Sequence, residues 1–256
     1  MKAARNVEQR GTQPNTVFVH GFGGDLHSWD SIWPLLGDDL PTMRYDLRGF
    51  GQSPAPADEP FSHVEDLTAL LDARGIDRVD LVGISMGGAI SVGFALDHPK
   101  RVRSLVLISP GLMGWEWSEE WRQAWRAITI AARGGDMDRA RQLWFEHPLF
   151  ETTRASPAAS ALSESIARYS GAQWIRDPQR PVLPDVDRLH QLTQPILLLA
   201  GDRDMPDFRL AADLIAGSAP NVRRVDYPAL GHMLTLEAPA QIAEAIRTFL
   251  RSQHGR

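Results

Sequence analysis

A serine between glycines is the strongest chemical signal in the sequence. Ser85 lies at the centre of the segment Gly83 to Gly87, directly after the apolar run Val79 to Ile84 and directly before a helix-like segment. In a Gly-x-Ser-x-Gly turn between a strand and a helix, the central residue has a strained backbone and its hydroxyl is exposed at the carboxyl edge of the sheet. This setting predicts a nucleophile for acyl transfer, whereas the same five letters elsewhere often mark only a glycine-rich helix start.

A serine hydroxyl needs a base, and a histidine near the end of the chain is the best candidate. His232 follows the last strand-like run and precedes the last helix-like segment, so we expect its loop at the same sheet edge as Ser85. An acid must then fix the imidazole tautomer, and Asp202 and Asp204 both follow another strand-like run. Either aspartate could serve. We favour Asp204 and expect the other to cap the following helix.

Two backbone amides are candidates for an oxyanion hole. Met86 begins the helix after Ser85, where amide N–H groups point out of the helix end. The second amide should come from a loop at the end of a neighbouring strand. The glycine-rich segment His20 to Gly24 follows the first strand-like run, and we expect the amide of Phe22 to serve there. Taken alone, that segment is equally typical of a tight turn.

Short apolar runs alternate with longer helix-like segments along most of the chain. This pattern predicts an α/β fold with a mostly parallel central sheet and helices on both faces. The predicted strands are Thr16 to His20, Thr42 to Asp46, Val79 to Ile84, Arg103 to Ser109, Pro195 to Gly201 and Val222 to Pro228. The predicted helices between them are Phe61 to Arg74, Met86 to Asp97, Phe208 to Ala216 and Pro239 to Ser252.

The alternation stops between Pro110 and Gln194, where no convincing strand is found. An uncovered loop of roughly 80 residues would be unusual, so we predict a helical insertion. Its amphipathic segments are Glu119 to Arg133, Met137 to Phe145 and Ser156 to Tyr169. The prediction is thus a core of residues 1–110 and 191–256, with a helical cap of residues 111–190 inserted before the strand that precedes the aspartates.

Six of the eight tryptophans lie in the cap, which predicts an aromatic, apolar substrate pocket beneath it. We expect this pocket to be lined by Phe22, Trp115, Trp121, Trp125 and Trp144. The four-residue spacing of Trp121 and Trp125 puts them on one helical face and favours packing for at least one of them. The other two tryptophans, Trp29 and Trp33, are predicted to pack the helix after the glycine-rich loop.

The composition narrows the class of protein. With 256 residues, 43% hydrophobic and 23% charged, the chain is expected to be globular and to form one large domain. A net charge of -5 without a basic cluster argues against a nucleic-acid partner. Cysteine is absent and no histidine pair has metal-ligand spacing, so we expect no disulfide and no metal. Without a signal-like or membrane-spanning apolar segment, we expect a cytoplasmic protein that does not bind membranes.

A dinucleotide site is a competing interpretation of the first glycine loop. Gly21 and Gly23 follow a strand, and Asp46 comes about 20 residues later, as in a dinucleotide fingerprint. The third glycine position is occupied by Leu26, however, and this interpretation leaves Ser85 unexplained. A phosphate-binding P-loop is excluded because the sequence contains no Gly-Lys-Ser or Gly-Lys-Thr.

Taken together, these motifs resemble those of the α/β-hydrolase superfamily, in the branch of small capped esterases, enol-lactone hydrolases, haloperoxidase-like enzymes and C–C bond hydrolases. The order Ser, Asp, His along the chain also agrees with that family. The matching segments extend over nearly the whole chain and are His20 to Gly24, Asp46 to Ser53, Gly83 to Gly88, Gly201 to Asp204 and Gly231 to His232. The resemblance implies that Asp204 is the acid, that the cap is mobile, and that Asp46 and Arg48 bond backbone groups. Many family members have a longer strand pair at the start, whereas only 15 residues precede the first strand here, so we expect the sheet to lack an edge strand.

We therefore expect a serine esterase or lactonase that needs no cofactor. Its substrate would be a small or medium hydrophobic carboxylic ester or lactone, cleaved through an acyl-enzyme by the triad Ser85, Asp204 and His232. Amide hydrolysis, C–C bond hydrolysis and perhydrolysis can use the same triad. A non-catalytic small-ligand binder of the same fold is a further alternative. Family members with dehalogenase or epoxide hydrolase activity carry an aspartate as nucleophile, so Ser85 argues against both.

Overall fold

A seven-stranded sheet forms the centre of the computed structural model, which describes residues 6–53, 60–180 and 182–254. The strand order is β1-β3-β2-β4-β5-β6-β7, and every neighbouring pair is parallel except β1 and β3. The strands are β1 (Val7–Arg10), β2 (Thr16–Val19), β3 (Thr42–Tyr45), β4 (Val79–Ile84), β5 (Val102–Ile108), β6 (Ile196–Gly201) and β7 (Val222–Tyr227). The predicted mostly parallel sheet is confirmed.

The edge strand β1 corrects the expectation that the sheet could lack one. It pairs with β3 in an antiparallel register from Val7 opposite Tyr45 to Arg10 opposite Thr42. Its two central residues are exposed, so no apolar run marks the strand in the sequence. An edge strand needs only one neighbour and buries little, which is why four polar-rich residues suffice here.

Helices cover both faces of the sheet and also fill the insertion. In chain order they are α1 (His63–Ala73), α2 (Met86–Asp97), α3 (Glu119–Arg133), α4 (Met137–Glu146), α5 (Glu151–Arg154), α6 (Ala159–Arg168), α7 (Ala172–Ile175), α8 (Pro206–Ser218), α9 (Leu234–Glu237) and α10 (Pro239–His254). Short 3₁₀ helices span Leu26–Trp29, Trp33–Leu36, Pro99–Arg101, Pro148–Phe150 and Asp185–Gln191. The four predicted core helices correspond to α1, α2, α8 and α10.

The central strands carry apolar side chains on both faces, and this divides the core into two layers. In β5, Leu105 and Leu107 join one layer, whereas Val106 and Ile108 join the other. Because successive side chains of a strand point to opposite faces, a continuous apolar run is what such a strand requires. Each fully buried aliphatic side chain contributes about 1.5 to 3 kcal/mol of hydrophobic free energy, so the two layers fix the sheet that supports the site.

Trp29 and Trp33 pack as predicted, although in two separate 3₁₀ helices rather than in one helix. Both are buried, and both contact the Phe18 ring edge-on, with ring centroids 5.0 and 5.3 Å apart. Their contacts anchor the segment after the glycine-rich loop to β2.

The segment between β5 and β6 contains helices and no strand of the sheet in its described residues. The three predicted amphipathic segments correspond to α3, α4 and α6. Trp174, Trp144 and Leu162 are buried within this segment and give it an apolar interior of its own. We call residues 111–190 the cap. Of all the described helices, none has both the length and the apolar character needed to cross a membrane.

Candidate active site

Ser85 lies in a sharp turn between β4 and α2, with backbone angles φ 54° and ψ −118°. The turn is possible only because small residues surround it. A Cβ on Gly83 would overlap the Gly87 carbonyl oxygen, and a Cβ on Gly87 would overlap the Val19 carbonyl oxygen. The Ser85 amide donates to the Ile108 carbonyl at 3.0 Å, which ties the turn to β5. The sequence therefore places a strained serine at the N-terminus of a buried helix.

His232 is held by Asp204 in a buried pair. The imidazole Nδ1 lies 3.0 Å from Oδ1 and 2.9 Å from Oδ2 of Asp204, and each side chain is 2% exposed. The Met205 amide also donates to Asp204 Oδ1, at 2.7 Å, and the Phe208 ring packs 4.2 Å from the imidazole. Since a carboxylate only accepts, Nδ1 carries the donated proton, and Nε2 is the nitrogen left for proton exchange.

Asp202 has a different role from the helix cap that the sequence suggested for an unused aspartate. Its Oδ1 accepts a hydrogen bond from the Ala229 amide at 2.7 Å. Ala229 has a positive φ of 63°, a strained conformation for a residue with a Cβ. The Arg203 amide also donates to the Leu230 carbonyl at 3.0 Å. Asp202 thus supports the loop that precedes His232, while Asp204 contacts the imidazole itself.

Ser85 and His232 line the same cavity, which has a volume of about 600 Å³. In the described part of the chain, no hydrogen bond joins the Ser85 hydroxyl to the imidazole. Such bonds are commonly long or poorly aligned before a substrate binds and tighten in the reacting complex. The structure therefore brings together the three predicted side chains at the carboxyl edge of the sheet, with the Asp204–His232 contact already formed.

The glycine-rich loop lies directly against the serine. A Cβ on Gly21 would be only 3.2 Å from the Cβ of Ser85. His20 fixes the base of this loop: its Nδ1 donates to the Gly21 carbonyl at 2.8 Å, and its Nε2 accepts from the Leu47 amide at 3.0 Å. Burial lowers the pKa of His20, which favours the neutral imidazole that these two hydrogen bonds require.

The predicted oxyanion donors are the amides of Phe22 and Met86. Neither amide has an acceptor among the described residues. Both residues also line the cavity that contains Ser85. An amide without an intramolecular partner beside a nucleophile is the arrangement that a developing oxyanion requires.

Aromatic side chains form much of the cavity wall, and one prediction about them is wrong. Phe22, Trp121, Trp125 and Trp144 line the cavity, as predicted. Trp115 does not; its indole Nε1 lies 3.4 Å from Oδ1 of Asp207, outside the lining. Trp115 lies in the irregular segment before α3, and its position does not fit the four-residue spacing of the tryptophans that follow it.

Trp117 takes the place in the cavity wall that was predicted for Trp115. Its ring stacks on Trp121 at a centroid distance of 4.3 Å, and Trp121 is nearly parallel to Trp125 at 6.3 Å. The three tryptophans are spaced four residues apart, a signal that could have identified Trp117. Phe22 contacts this stack edge-on, with its ring centroid 4.9 Å from that of Trp125.

The loop after β3 supports the glycine-rich loop. Asp46 accepts hydrogen bonds from the amides of Leu26 and Gln52, each at 2.7 Å, in agreement with the prediction that it bonds backbone groups. The same prediction is wrong for Arg48. Its guanidinium forms a two-point ion pair with the Asp66 carboxylate, with Nε 2.6 Å from Oδ2. Sequence alone did not reveal that Asp66 of α1 faces this loop.

The family follows from this sequence and fold. Residues 14–239 match the family described as the alpha/beta hydrolase fold. The chain belongs to the α/β-hydrolase family. Within that family, the match and the similar proteins support a hydrolase activity. In the described residues of this α/β hydrolase, no group of three or more His, Asp or Glu side chains is placed to hold a metal ion.

Three relatives illustrate the range of this α/β-hydrolase family. The chain is 29% identical over 242 residues to the dihydrolipoyllysine-residue acetyltransferase component of the acetoin cleaving system of Pseudomonas putida. That alignment covers 92% of the chain but only 63% of the Pseudomonas putida protein. The chain is 26% identical over 259 residues to the pimeloyl-(acyl-carrier protein) methyl ester esterase of Nitrosomonas europaea, covering 93% of the chain and 96% of that protein. The solved structure of Est816, an N-acyl homoserine lactone degrading enzyme, superposes with a TM-score of 0.78 at 25% identity, covering 96% and 97% of the two chains.

Proposed function

We propose that this α/β hydrolase cleaves small or medium hydrophobic carboxylic esters or lactones through an acyl-enzyme on Ser85. One observation carries the proposal: the strained Ser85 turn and the buried Asp204–His232 pair open on one cavity with aromatic walls. A nucleophile, a base and an orienting acid are the groups that acyl transfer requires. The methyl ester esterase and the lactone degrading enzyme among the relatives support an ester or lactone substrate.

The first half of the reaction forms the acyl-enzyme. Ser85 Oγ attacks the substrate carbonyl carbon while His232 Nε2 accepts the hydroxyl proton, and Asp204 stabilises the imidazolium. The carbonyl oxygen becomes an oxyanion that the amides of Phe22 and Met86 stabilise. Loss of one such donor typically costs on the order of a hundredfold to a thousandfold in turnover. Collapse breaks the bond to the leaving oxygen, which takes the proton from His232.

The second half releases the acid. Water attacks the acyl carbon while His232 accepts one of its protons, and a second oxyanion forms in the same hole. Collapse breaks the bond to Ser85 Oγ, which regains its proton from His232, and a carboxylic acid leaves. With a lactone, the alcohol stays attached to the acyl group, so a single hydroxy acid is the product.

The cavity supports an apolar substrate of modest size. Its volume of about 600 Å³ lies within the range of roughly 300 to 1,000 Å³ found for small-molecule sites. The lining includes eight indole and phenyl rings, which bind apolar groups well and provide few hydrogen bonds, together with polar and charged side chains such as Arg122, Arg126 and Asp177. We therefore propose that an uncharged acyl or alcohol group of the substrate packs against the tryptophan stack, while the scissile carbonyl lies at Ser85.

A substrate panel tests the proposal. Turnover of p-nitrophenyl esters with short and medium acyl chains is compared with turnover of simple and N-acyl homoserine lactones, using the wild type and Ser85→Ala. We expect turnover of at least one class, and its loss in the variant by on the order of a thousandfold or more. A variant that stays within about tenfold of the wild type would show that the mechanism is wrong. If a 1,5-diketone is cleaved faster than every ester and lactone, the activity of these residues is C–C bond hydrolysis rather than ester hydrolysis.

A further inference from the structure

The loop that carries His232 is closed on itself by Glu237. This glutamate is the last residue of α9, the short helix that begins two residues after His232. Its Oε2 accepts a hydrogen bond from the Gly231 amide at 2.6 Å. This hydrogen bond therefore closes the segment from Gly231 to Glu237 into a loop that contains His232. A bond from an amide to a carboxylate is stronger than a bond between two neutral groups, so it restricts the loop.

The second oxygen of the same carboxylate reaches the cap. Glu237 Oε1 accepts a hydrogen bond at 2.5 Å from the hydroxyl of Thr153, a fully buried residue of α5. The neighbouring Thr152 lies against the His232 loop as well, because a Cβ on Gly231 would be 2.8 Å from its Cβ. The cap thus contacts the loop at the residue immediately before His232.

Glu237 and Thr153 do not line the substrate cavity. The described residues provide no cation that pairs with the Glu237 carboxylate, which is held by the Gly231 amide and the Thr153 hydroxyl. A half-buried carboxylate depends on such donors, because each one offsets part of its lost hydration. Moving α5 away would remove one of the two donors and allow the carboxylate to turn from Gly231.

We propose that Glu237 is a positioning residue that makes the alignment of His232 depend on the cap. With α5 in place, the Thr153 hydroxyl holds the carboxylate against Gly231, and the imidazole stays aligned for proton transfer. Without that hydroxyl, the loop loosens and proton transfer from Ser85 slows. The inference rests on the proposed function, since it requires His232 to act as the base for Ser85.

The test compares Thr153→Val, Glu237→Ala and Glu237→Gln with the wild type. Valine keeps the branched shape of threonine and replaces its hydroxyl with a methyl group, which cannot donate a hydrogen bond. Glutamine can still accept from Gly231 through its oxygen and can donate to the Thr153 hydroxyl through its NH₂ group. Glu244→Ala is the matched control, because Glu244 is an exposed glutamate of α10 that bonds to Arg247 and Thr248 on the same helix.

Two rates are measured on folded protein: labelling of the nucleophile by a small fluorophosphonate, and turnover of a short p-nitrophenyl ester. We expect Thr153→Val and Glu237→Ala to lower both the labelling rate constant and kcat by about tenfold. KM should stay within about twofold because neither residue lines the cavity. The labelling rate constant and kcat of Glu237→Gln should be much closer to the wild-type values than those of Glu237→Ala. Glu244→Ala should behave like the wild type.

Thermal unfolding separates alignment from stability. A purely structural role would lower the unfolding midpoint and leave the labelling rate of the folded protein unchanged, which would overturn the inference. Thr153→Val alone decides the matter if Glu237→Ala does not fold. Absence of labelling in the wild type and in every variant would instead contradict the proposed function, and this inference with it.

Discussion

Asp204 holds His232 with both carboxylate oxygens, at 3.0 and 2.9 Å from the same imidazole nitrogen. Both side chains are almost fully buried, so the pair is shielded from solvent and its geometry is fixed. A negative charge at Nδ1 favours the tautomer that leaves Nε2 free to accept a proton and stabilises the imidazolium that results.

Replacement of Asp204 by asparagine should therefore reduce kcat with little change in shape. We expect a loss on the order of a thousandfold to ten-thousandfold, because the amide neither stabilises the imidazolium nor enforces the tautomer. Asp202→Asn is the matched variant. It weakens only the support of Ala229 and should cost less than about tenfold. Steady-state kinetics with one ester decides, and equal losses in the two variants would contradict the assignment of Asp204 as the acid.

The two tryptophans before α3 should differ in their effect on substrate binding. Trp117→Ala removes an indole from the cavity wall and from the stack on Trp121, and should raise KM for a medium-chain ester by about fivefold to tenfold. Trp115→Phe lies outside the lining and should leave KM within about twofold. KM values of both variants with one substrate series provide the check. A larger effect at Trp115 would mean that the tryptophan stack is not the binding wall.

His147 of the cap should make stability depend on pH. Burial above all, then the electrostatic effects of His232 and Arg154, lowers the pKa of His147 from 6.5 to about 4. Between about pH 6.5 and 4 the unfolded chain therefore binds a proton at this position that the folded chain does not, so the free energy of unfolding falls as the pH falls. The full effect is about 3 kcal/mol.

The variant His147→Asn isolates this contribution. Nδ1 of His147 accepts from the Leu149 amide at 3.2 Å, and an asparagine oxygen can replace that acceptor without titrating. Urea unfolding at a series of pH values from 7.5 downwards should show the wild type losing stability relative to the variant below about pH 6.5. Two curves that stay parallel over this range would contradict the buried, neutral state of His147.

Much of this fold could be predicted because each local signal agreed with the global structure. The strand β4, the glycines around Ser85 and the start of α2 are adjacent in sequence, so one short segment specifies the turn. The cap helices α3, α4 and α6 also have strong amphipathic patterns. Their packing is decided by which face is apolar, and periodicity reveals that face.

The features that the sequence did not predict lie at positions where the local sequence does not determine the structure. The edge strand β1 is short and half-exposed, so it has no apolar run. Arg48 finds its partner Asp66 through tertiary packing. The contact between Glu237 and Thr153 joins residues 84 positions apart in the chain, and neither side chain belongs to a recognisable motif with the other. Such contacts can be identified only from the folded structure.

The covalent intermediate tests the central claim most directly. Wild-type protein is incubated with a small fluorophosphonate, and its intact mass and proteolytic peptides are measured by mass spectrometry. We predict one adduct per chain, located on the peptide at Ser85, no adduct in Ser85→Ala, and much slower labelling in His232→Ala. An adduct at another residue, or labelling of the wild type and Ser85→Ala at the same rate, would contradict the claim that Ser85 is the nucleophile.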